Sequence, residues 1–277
     1  MVGAIVGDVV GSVYEFHNTK TKLFPFFCGG SEYTDDTVMT CAVAESLMRS
    51  WKMDKFGSLS EVAVNTLHEI GQHYPRCGYG GKFYHWMFGK NWKPYDSFGN
   101  GAAMRISAVG DIARSEKEAK DLSYKLTAIT HNHAEGLKGA EAAVMAKYLL
   151  REGESLSSVE RYINDHYYTL RKTVDDYRKE IDGHGKETCQ VTMPQAFACL
   201  FESDDFEDVI RNSVSIGGDS DTIAAIAGGI AEAYYPVPGW MKETLKIFVP
   251  YELYHIVNKW DDFVYRFNKE EEMKNRL

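Results

Sequence analysis

The sequence has few cysteines, and none of them stand close together. It contains five in 277 residues, without any C-x-x-C pair, at Cys28, Cys41, Cys77, Cys189 and Cys199. A disulfide framework or a structural zinc site needs cysteines that are paired or clustered. Their odd number and wide spacing therefore argue against both kinds of site, and they favour a reducing cytoplasm.

The sequence also lacks an excess of basic residues. Lys and Arg total 31 against 40 Asp and Glu, which gives a net charge of −9. A surface that binds nucleic acid needs clustered Lys and Arg to neutralise phosphates, so a nucleic-acid partner is disfavoured. A small phosphate-bearing ligand is still compatible with this charge, because bound cations can reverse the local field.

Long apolar runs are missing as well. Residues 2–11 are mostly apolar, but Asp8 interrupts them, and neither a basic segment nor a small-residue cleavage site flanks them. No other segment approaches the ~20 apolar residues that a membrane span needs. We therefore predict a cytoplasmic protein without a membrane partner, in which residues 2–11 form a buried helix.

No proline-rich or Gly/Ser-rich linker divides the chain, so residues 1–277 are predicted to form a single domain.

What the sequence does contain is helical periodicity. Apolar residues recur at helical spacing in segments 36–51, 59–72, 116–129, 134–152, 155–168 and 205–214, and residues 221–235 are almost wholly apolar. The predicted fold class is therefore all-α. Segments 17–35, 74–104 and 182–193 are predicted to be loops that frame a site.

Two short acidic segments each lead directly into an apolar helix. They are Tyr33-Thr34-Asp35-Asp36-Thr37 and Gly217-Gly218-Asp219-Ser220-Asp221-Thr222. Helix capping is the simplest interpretation, since Ser, Thr and Asp are preferred N-caps and acids in the first turn complement the helix dipole. One cap needs a single side-chain oxygen, however, and each segment offers at least three. Carboxylates beside a buried helix have to be paired or bound to metal.

Asp and Thr oxygens without His or Cys form a set of hard ligands. Such a set suits Mg²⁺, Mn²⁺ or Ca²⁺ rather than zinc. The four carboxylates of the two segments are a reasonable number for two divalent ions, because the positive ends of two helices oppose a cation. A shared site requires the two segments to meet although they are far apart in the chain, and that meeting is a prediction.

Three glycines, Gly3, Gly7 and Gly11, recur every four residues and form one smooth ridge on a helix. Each costs about 1 kcal/mol relative to Ala in a helix, which close packing against another helix would offset. Asp8 and Glu15 are seven residues apart and share one face of this helix. Glu15 stands where the helix should give way to a loop, and it is a candidate carboxylate for the site.

Glycines and aromatic residues cluster twice in the middle of the chain, at residues 78–81 and 97–105. Glycines let backbone amides approach phosphates, and a neighbouring aromatic ring can stack on a purine. A simple turn is the alternative for each cluster. His131-Asn132-His133 lacks an acid or Cys partner at suitable spacing, which favours a substrate hydrogen bond or a helix cap over a metal site.

Taken together and in order, these segments resemble the ADP-ribosylglycohydrolase family. The resemblance rests on residues 3–15, 33–37, 78–80, 99–105, 130–131 and 217–222. It implies an orthogonal multi-helix bundle with two Mg²⁺ (or Mn²⁺) ions in a central cleft. The implied metal ligands are Thr34, Asp35, Asp36, Asp219, Asp221 and Thr222. The implied catalytic carboxylates are Glu15 and Asp36. The implied substrate contacts are Gly78, Tyr79, Gly80, Ser97, Asn100 and Gly101 around phosphate and ribose, Phe98 as an adenine platform, and His131 as a distal contact.

The resemblance further implies a function. We expect a metal-dependent hydrolase that cleaves the C1″ glycosidic bond of ADP-ribose in an ADP-ribosylated protein or a small ADP-ribosyl compound. One alternative is a catalytically silent relative that binds ADP-ribose or has a structural role, as lens crystallins with this fold do. Loss of an acid from either segment would favour it, and here all four acids are present. A second alternative is a two-metal phosphoester hydrolase, which would release phosphate or nucleotide.

Overall fold

The computed structural model describes residues 1–181, 183 and 185–274, and over these residues it confirms the predicted all-α fold. No strand forms in this part of the chain, where a single isolated bridge joins Gly99 to Thr188. The helices in chain order are α1 Val2–Gly11, α2 Asp35–Asp54, α3 Leu59–Gly71, α4 Gly81–Phe88, α5 Gly101–Met104, α6 Ala108–Ile112, α7 Glu116–Thr127, α8 Ala134–Arg151, α9 Leu156–His166, α10 Val174–Glu180, α11 Cys189–Phe201, α12 Phe206–Ser215, α13 Ser220–Ala231, α14 Gly239–Phe248 and α15 Tyr251–Lys274. A 3-10 turn, Ser12–Tyr14, follows α1 directly.

Two of the predicted loops are corrected by the structure. Segment 74–104 contains α4 and α5, and α11 begins at Cys189 inside segment 182–193, of which positions 182 and 184 lie outside the described residues. Helices α4 and α5 have eight and four residues, which is too short for an apolar repeat to become visible. Each also begins with a glycine, a residue of low helix propensity, so neither pattern nor propensity predicts them.

Helix α13 lies at the centre of the bundle, and all of its residues are buried. Helices α1, α8, α11 and α12 pack around it. This arrangement agrees with the absence of a polar face in its sequence, since a helix that is apolar on every side has to be covered on every side. Of the helices that the structure describes, none is both long and apolar enough to cross a membrane.

The glycine ridge of α1 packs against α13, as the four-residue spacing predicts. A Cβ atom added to Gly3 would lie 2.2 Å from the carbonyl oxygen of Gly228, and one on Gly7 would lie 2.1 Å from that of Ala224. At Gly11 the added atom would lie 2.4 Å from the Cα of Asp221. The partner numbers fall as the α1 numbers rise, so the two helices are antiparallel. The C-terminal end of α1 therefore meets the acidic N-terminal end of α13.

Candidate active site

Asp8 connects α1 to the start of α2. Its carboxylate is fully buried and accepts hydrogen bonds from the backbone N–H of Thr34 at 3.0 Å and of Thr37 at 3.0 Å. The hydroxyl of Thr34 donates to the other carboxylate oxygen at 2.7 Å, and the hydroxyl of Thr37 donates as well. Because these donors belong to the first turn of α2, one buried acid on α1 fixes where the Thr34–Asp36 segment lies.

The two acidic segments meet at the end of the α1–α13 crossing. The hydroxyl of Thr222 donates to Oδ2 of Asp36 at 3.1 Å, although the two residues are 186 positions apart in the chain. The structure therefore brings together the segments whose meeting the sequence could only predict.

The carboxylates form two groups that share one residue. Ligand atoms of Asp8, Asp36 and Asp221 all lie within 4.8 Å of one another, and so do those of Glu15, Asp219 and Asp221. Three oxygens at this separation can surround a hard divalent cation. The two groups are joined through Asp221, whose carboxylate belongs to both.

Helix capping does not account for Asp36 and Asp219. The cap of α2 is the hydroxyl of Thr34, which accepts from the N–H of Asp36 at 3.3 Å, while Asp219 makes no side-chain capping bond at α13. Asp219 instead accepts from the side-chain amide of Asn100 at 2.5 Å. Oδ1 of Asp36 is buried without a hydrogen-bond partner among the described residues. An orphaned buried carboxylate oxygen is costly, and a bound cation would satisfy it, so the residues fit a metal site.

Burial and mutual repulsion perturb the ionisation of the group. Burial, followed by the negative charge of Asp8, raises the pKa of Asp35 from its ordinary value of 3.8 to about 8. The pKa of Asp36 and that of Asp221 are raised well above 3.8, first by burial and then by the neighbouring carboxylates. A divalent cation would reverse these shifts, because it favours the charged form of every acid around it.

A pH-dependent stability is expected from these shifts. Between pH about 4 and about 8 the folded, metal-free protein holds a proton on Asp35 that the unfolded chain has released, so the free energy of unfolding falls as pH rises. Melting temperatures in EDTA at pH 5, 6, 7 and 8 measure this decline, and 10 mM Mg²⁺ in parallel samples should flatten it. An equal slope with and without Mg²⁺ would show that the acids do not bind the cation.

Glu15 lies at the mouth of the same group, where the 3-10 turn ends. Asn18 fixes this segment, since its side-chain amide donates to the carbonyl of Glu15 at 2.9 Å and of Gly218 at 3.2 Å. Its carbonyl oxygen accepts in turn from the N–H of Gly218 at 2.9 Å. Gly217 and Gly218 both have positive φ, which favours glycine. The turn that they form places Asp219 at the site. Asn18 thus ties the position of Glu15 to that of Asp219.

A cleft of about 510 Å³ opens above the carboxylates. Gly78, with φ of +102°, lies against Asp35, and an added Cβ would be 3.2 Å from its Oδ1. Predicted site residues that line the cleft are Glu15, Thr34, Asp35, Asp36, Gly78, Gly80, Ser97, Asn100, Gly101, His131, Asp219, Asp221 and Thr222. The two glycine loops and the two acidic helix starts therefore face one cavity.

Tyr79 and Phe98 are not among the residues lining the cleft in the described part of the chain. The hydroxyl of Tyr79 donates to the carbonyl of Gly71 at 3.0 Å, and its ring packs against Phe83. Phe98 is 40% exposed, with its ring 5.1 Å from that of His133. His133 caps α8 by accepting from the N–H of Glu135, in agreement with the capping alternative for this His pair.

A sequence profile of the ADP-ribosylglycohydrolase family matches residues 1–264. The chain belongs to this family. Mouse ADP-ribosylhydrolase ARH3 is 25% identical over 316 aligned positions, which cover 85% of this chain and 82% of that protein. The ADP-ribosylarginine hydrolase Tri1 of Pseudomonas putida (strain GB-1) is 25% identical over 88% of this chain and 71% of that protein. A solved structure of an ADP-ribosylglycohydrolase-related protein complex shares the fold, with a TM-score of 0.67, 20% identity and 96% of each chain covered.

Three residues at this site were missed by the sequence reasoning. Asp8 was placed on the same helix face as Glu15 but was not assigned to the site, although an acid inside an apolar glycine helix is itself a signal. Asn18 follows Glu15 by three residues and carries no pattern of its own. Arg105 ends the glycine-rich segment 97–105, and only the structure reveals that it lines the cleft.

Proposed function

We propose that this chain is a metal-dependent hydrolase that cleaves the C1″ glycosidic bond between ADP-ribose and an acceptor. The observation that carries the proposal is the pair of carboxylate groups that share Asp221 beneath one cleft. Two divalent cations, Mg²⁺ or Mn²⁺, are the cofactors that such a set of hard oxygen ligands favours. The family relationship supports ADP-ribose as the group that is hydrolysed.

The residues that would hold the cations are the acids and the threonine hydroxyls of the two helix starts. They are Thr34, Asp35, Asp36, Asp219, Asp221 and Thr222. When bound, the cations supply positive charge that orients oxygen ligands and stabilises developing negative charge. Asp8 already accepts four hydrogen bonds from the start of α2, so its role is to position Thr34 and Asp36.

Glu15 is the candidate general base. It is only half-buried and lines the mouth of the cleft, whereas Asp36 is 2% exposed and already accepts from Thr222. In hydrolysis the oxygen of water bonds to C1″, the bond from C1″ to the acceptor breaks, and the acceptor atom retains the electron pair and gains a proton. Glu15 would take the proton that water loses and pass it to the acceptor atom, and before that transfer its negative charge would stabilise the oxocarbenium-like transition state.

The substrate is proposed to be an ADP-ribosylated protein or a small ADP-ribosyl compound. Relatives named as an ADP-ribosylhydrolase and as an ADP-ribosylarginine hydrolase support this class of substrate. A cytoplasmic location agrees with this proposal, because the five cysteines are unpaired thiols that a reducing compartment would preserve.

Removal of the metal is expected to abolish the activity reversibly. Incubation with EDTA followed by desalting should reduce release of ADP-ribose from ADP-ribosylated arginine and serine peptides to background, and Mg²⁺ or Mn²⁺ should restore it. Chromatography of the products distinguishes ADP-ribose from the phosphate or nucleotide that a phosphoester hydrolase would release. Full turnover in EDTA would contradict the proposal, and binding of ADP-ribose without turnover in Mg²⁺ would favour the catalytically silent alternative.

A further inference from the structure

Arg105 is a buried cation that forms no salt bridge among the described residues, although the charge of Asp35 acts on it through space. It is 1% exposed, follows α5 and lines the cleft. Among the described residues its guanidinium makes one hydrogen bond, from Nη2 to the hydroxyl of Thr130 at 2.6 Å, and Nε is buried without an acceptor. The ring of Phe83 lies 5.4 Å from its Cζ and covers it on one side. A buried charge that forms no salt bridge is costly, so an anionic ligand in the cleft would stabilise the Arg105 guanidinium.

The hydroxyl of Thr130 forms hydrogen bonds with both Arg105 and His131. Its hydroxyl accepts from Arg105 and lies 2.8 Å from Nδ1 of His131. The proton of that hydroxyl has one acceptor among the described residues, which is Nδ1 of His131. Nδ1 is then unprotonated, and Nε2 carries the hydrogen of the imidazole. Burial, followed by the charge of Arg105, holds the pKa of His131 well below its ordinary value, which keeps the ring neutral.

Both residues line the cleft, and Nε2 of His131 lies beside the second glycine loop. Nε2 of His131 lies 3.4 Å from the position of a Cβ on Gly101 and 3.7 Å from that on Gly99. Arg105 lines the same cavity as Gly80 and Gly81, at the start of α4. Glycines on both sides leave room for a ligand to approach the backbone closely. A guanidinium and an N–H donor at such a place match the oxygens of a phosphate group.

We propose that Arg105 is the charge that binds the diphosphate of the substrate, and that through Thr130 it fixes His131 as an Nε2–H donor to the same group. This inference rests on the proposed function, since it assigns the diphosphate of ADP-ribose to this place. In this arrangement the carboxylates would bind the cations, and Arg105 would bind the anionic diphosphate of the same substrate.

The test measures the affinity of the Mg²⁺-loaded protein for ADP-ribose by calorimetry. Arg105→Met removes the charge at similar volume and should weaken binding on the order of 10- to 100-fold, as expected for hydrogen bonds to a charged group. Thr130→Val keeps the charge but removes the relay, and should weaken binding by about three- to tenfold. Arg151→Met is the matched control, because Arg151 donates to the carbonyls of Gly110 and Ala113 instead of lining the cleft. It should leave the affinity unchanged.

A titration with Mn²⁺ separates this role from a structural one. If Arg105 binds diphosphate, Arg105→Met keeps its affinity for Mn²⁺ and loses affinity for ADP-ribose. Affinity for ADP-ribose within twofold of wild type in the folded variant would overturn the inference, and so would an equal loss for both ligands. If Arg105→Met does not fold, Arg105→Gln decides in the same way, since it also removes the charge but can still donate a hydrogen bond to Thr130. Absence of ADP-ribose binding by the wild-type protein would overturn the proposed function together with the inference.

Discussion

Replacing Asp36 by asparagine is expected to lower the turnover of an ADP-ribosylated peptide by roughly 1,000-fold, because several kcal/mol of transition-state stabilisation depend on the cation that it would help to hold. Asparagine keeps the shape of the side chain and can still accept from Thr222. The helical content should therefore persist while the negative charge is lost. Steady-state release of ADP-ribose, with circular dichroism on the same samples, measures both quantities.

Asp205→Asn provides the matched control for this variant. Asp205 also stands at a helix start, where it caps α12 by accepting from the N–H of Asp208 at 2.8 Å. Asparagine is an equally good N-cap, so neither activity nor stability should change. Wild-type turnover in Asp36→Asn would contradict the metal assignment and return Asp36 to an ordinary role at the beginning of its helix.

The substitution Gly7→Ala is expected to destabilise the fold by about 3 kcal/mol or more, which is the upper range for overpacking of a core. The added methyl group would lie 2.1 Å from the carbonyl oxygen of Ala224 and 2.6 Å from the nitrogen of Ala225. Both atoms belong to the backbone of a helix buried on every side, so neither can move aside without separating α1 from α13. Urea denaturation followed by circular dichroism gives the change in the free energy of unfolding.

Gly239→Ala tests whether adding a methyl group to any helical glycine destabilises the fold. No atom lies within 4 Å of the position of its Cβ, and the residue begins α14 on the surface. Alanine should stabilise the protein slightly there, by about 0.4–1 kcal/mol, because it restricts the unfolded chain. If Gly7→Ala were tolerated as well as Gly239→Ala, the close crossing of α1 and α13 would be wrong.

The long helices and their acidic starts could be predicted because their signals are local. Apolar spacing indicates α2 and α8, an almost wholly apolar run indicates α13, and Thr34 or Asp219 before an apolar segment indicates a helix start. The ridge of Gly3, Gly7 and Gly11 could also be predicted, since each glycine costs stability that only close packing offsets. Its partner could not, because nothing in residues 3–11 specifies the helix that they contact.

Other features of the site depend on contacts between distant residues, and these were not predictable. Asp8 could be assigned to one face of a helix, but its hydrogen bonds to Thr34 and Thr37 exist only after α1 and α2 have packed. Arg105 has no sequence pattern that distinguishes a ligand contact from a surface cation. Tyr79 was predicted to contact the substrate, but its ring packs inward against Phe83. A Gly-Tyr-Gly segment does not specify on which side of the loop the ring lies.

We propose that oxygens from two distant helix starts surround a pair of divalent cations. The most direct test is anomalous X-ray diffraction from crystals grown with Mn²⁺. Two manganese peaks are expected, one beside Asp36 and Asp221 and the other beside Asp219 and Asp221. Crystals with saturating Mn²⁺ and no anomalous peak between α2 and α13 would contradict the proposal.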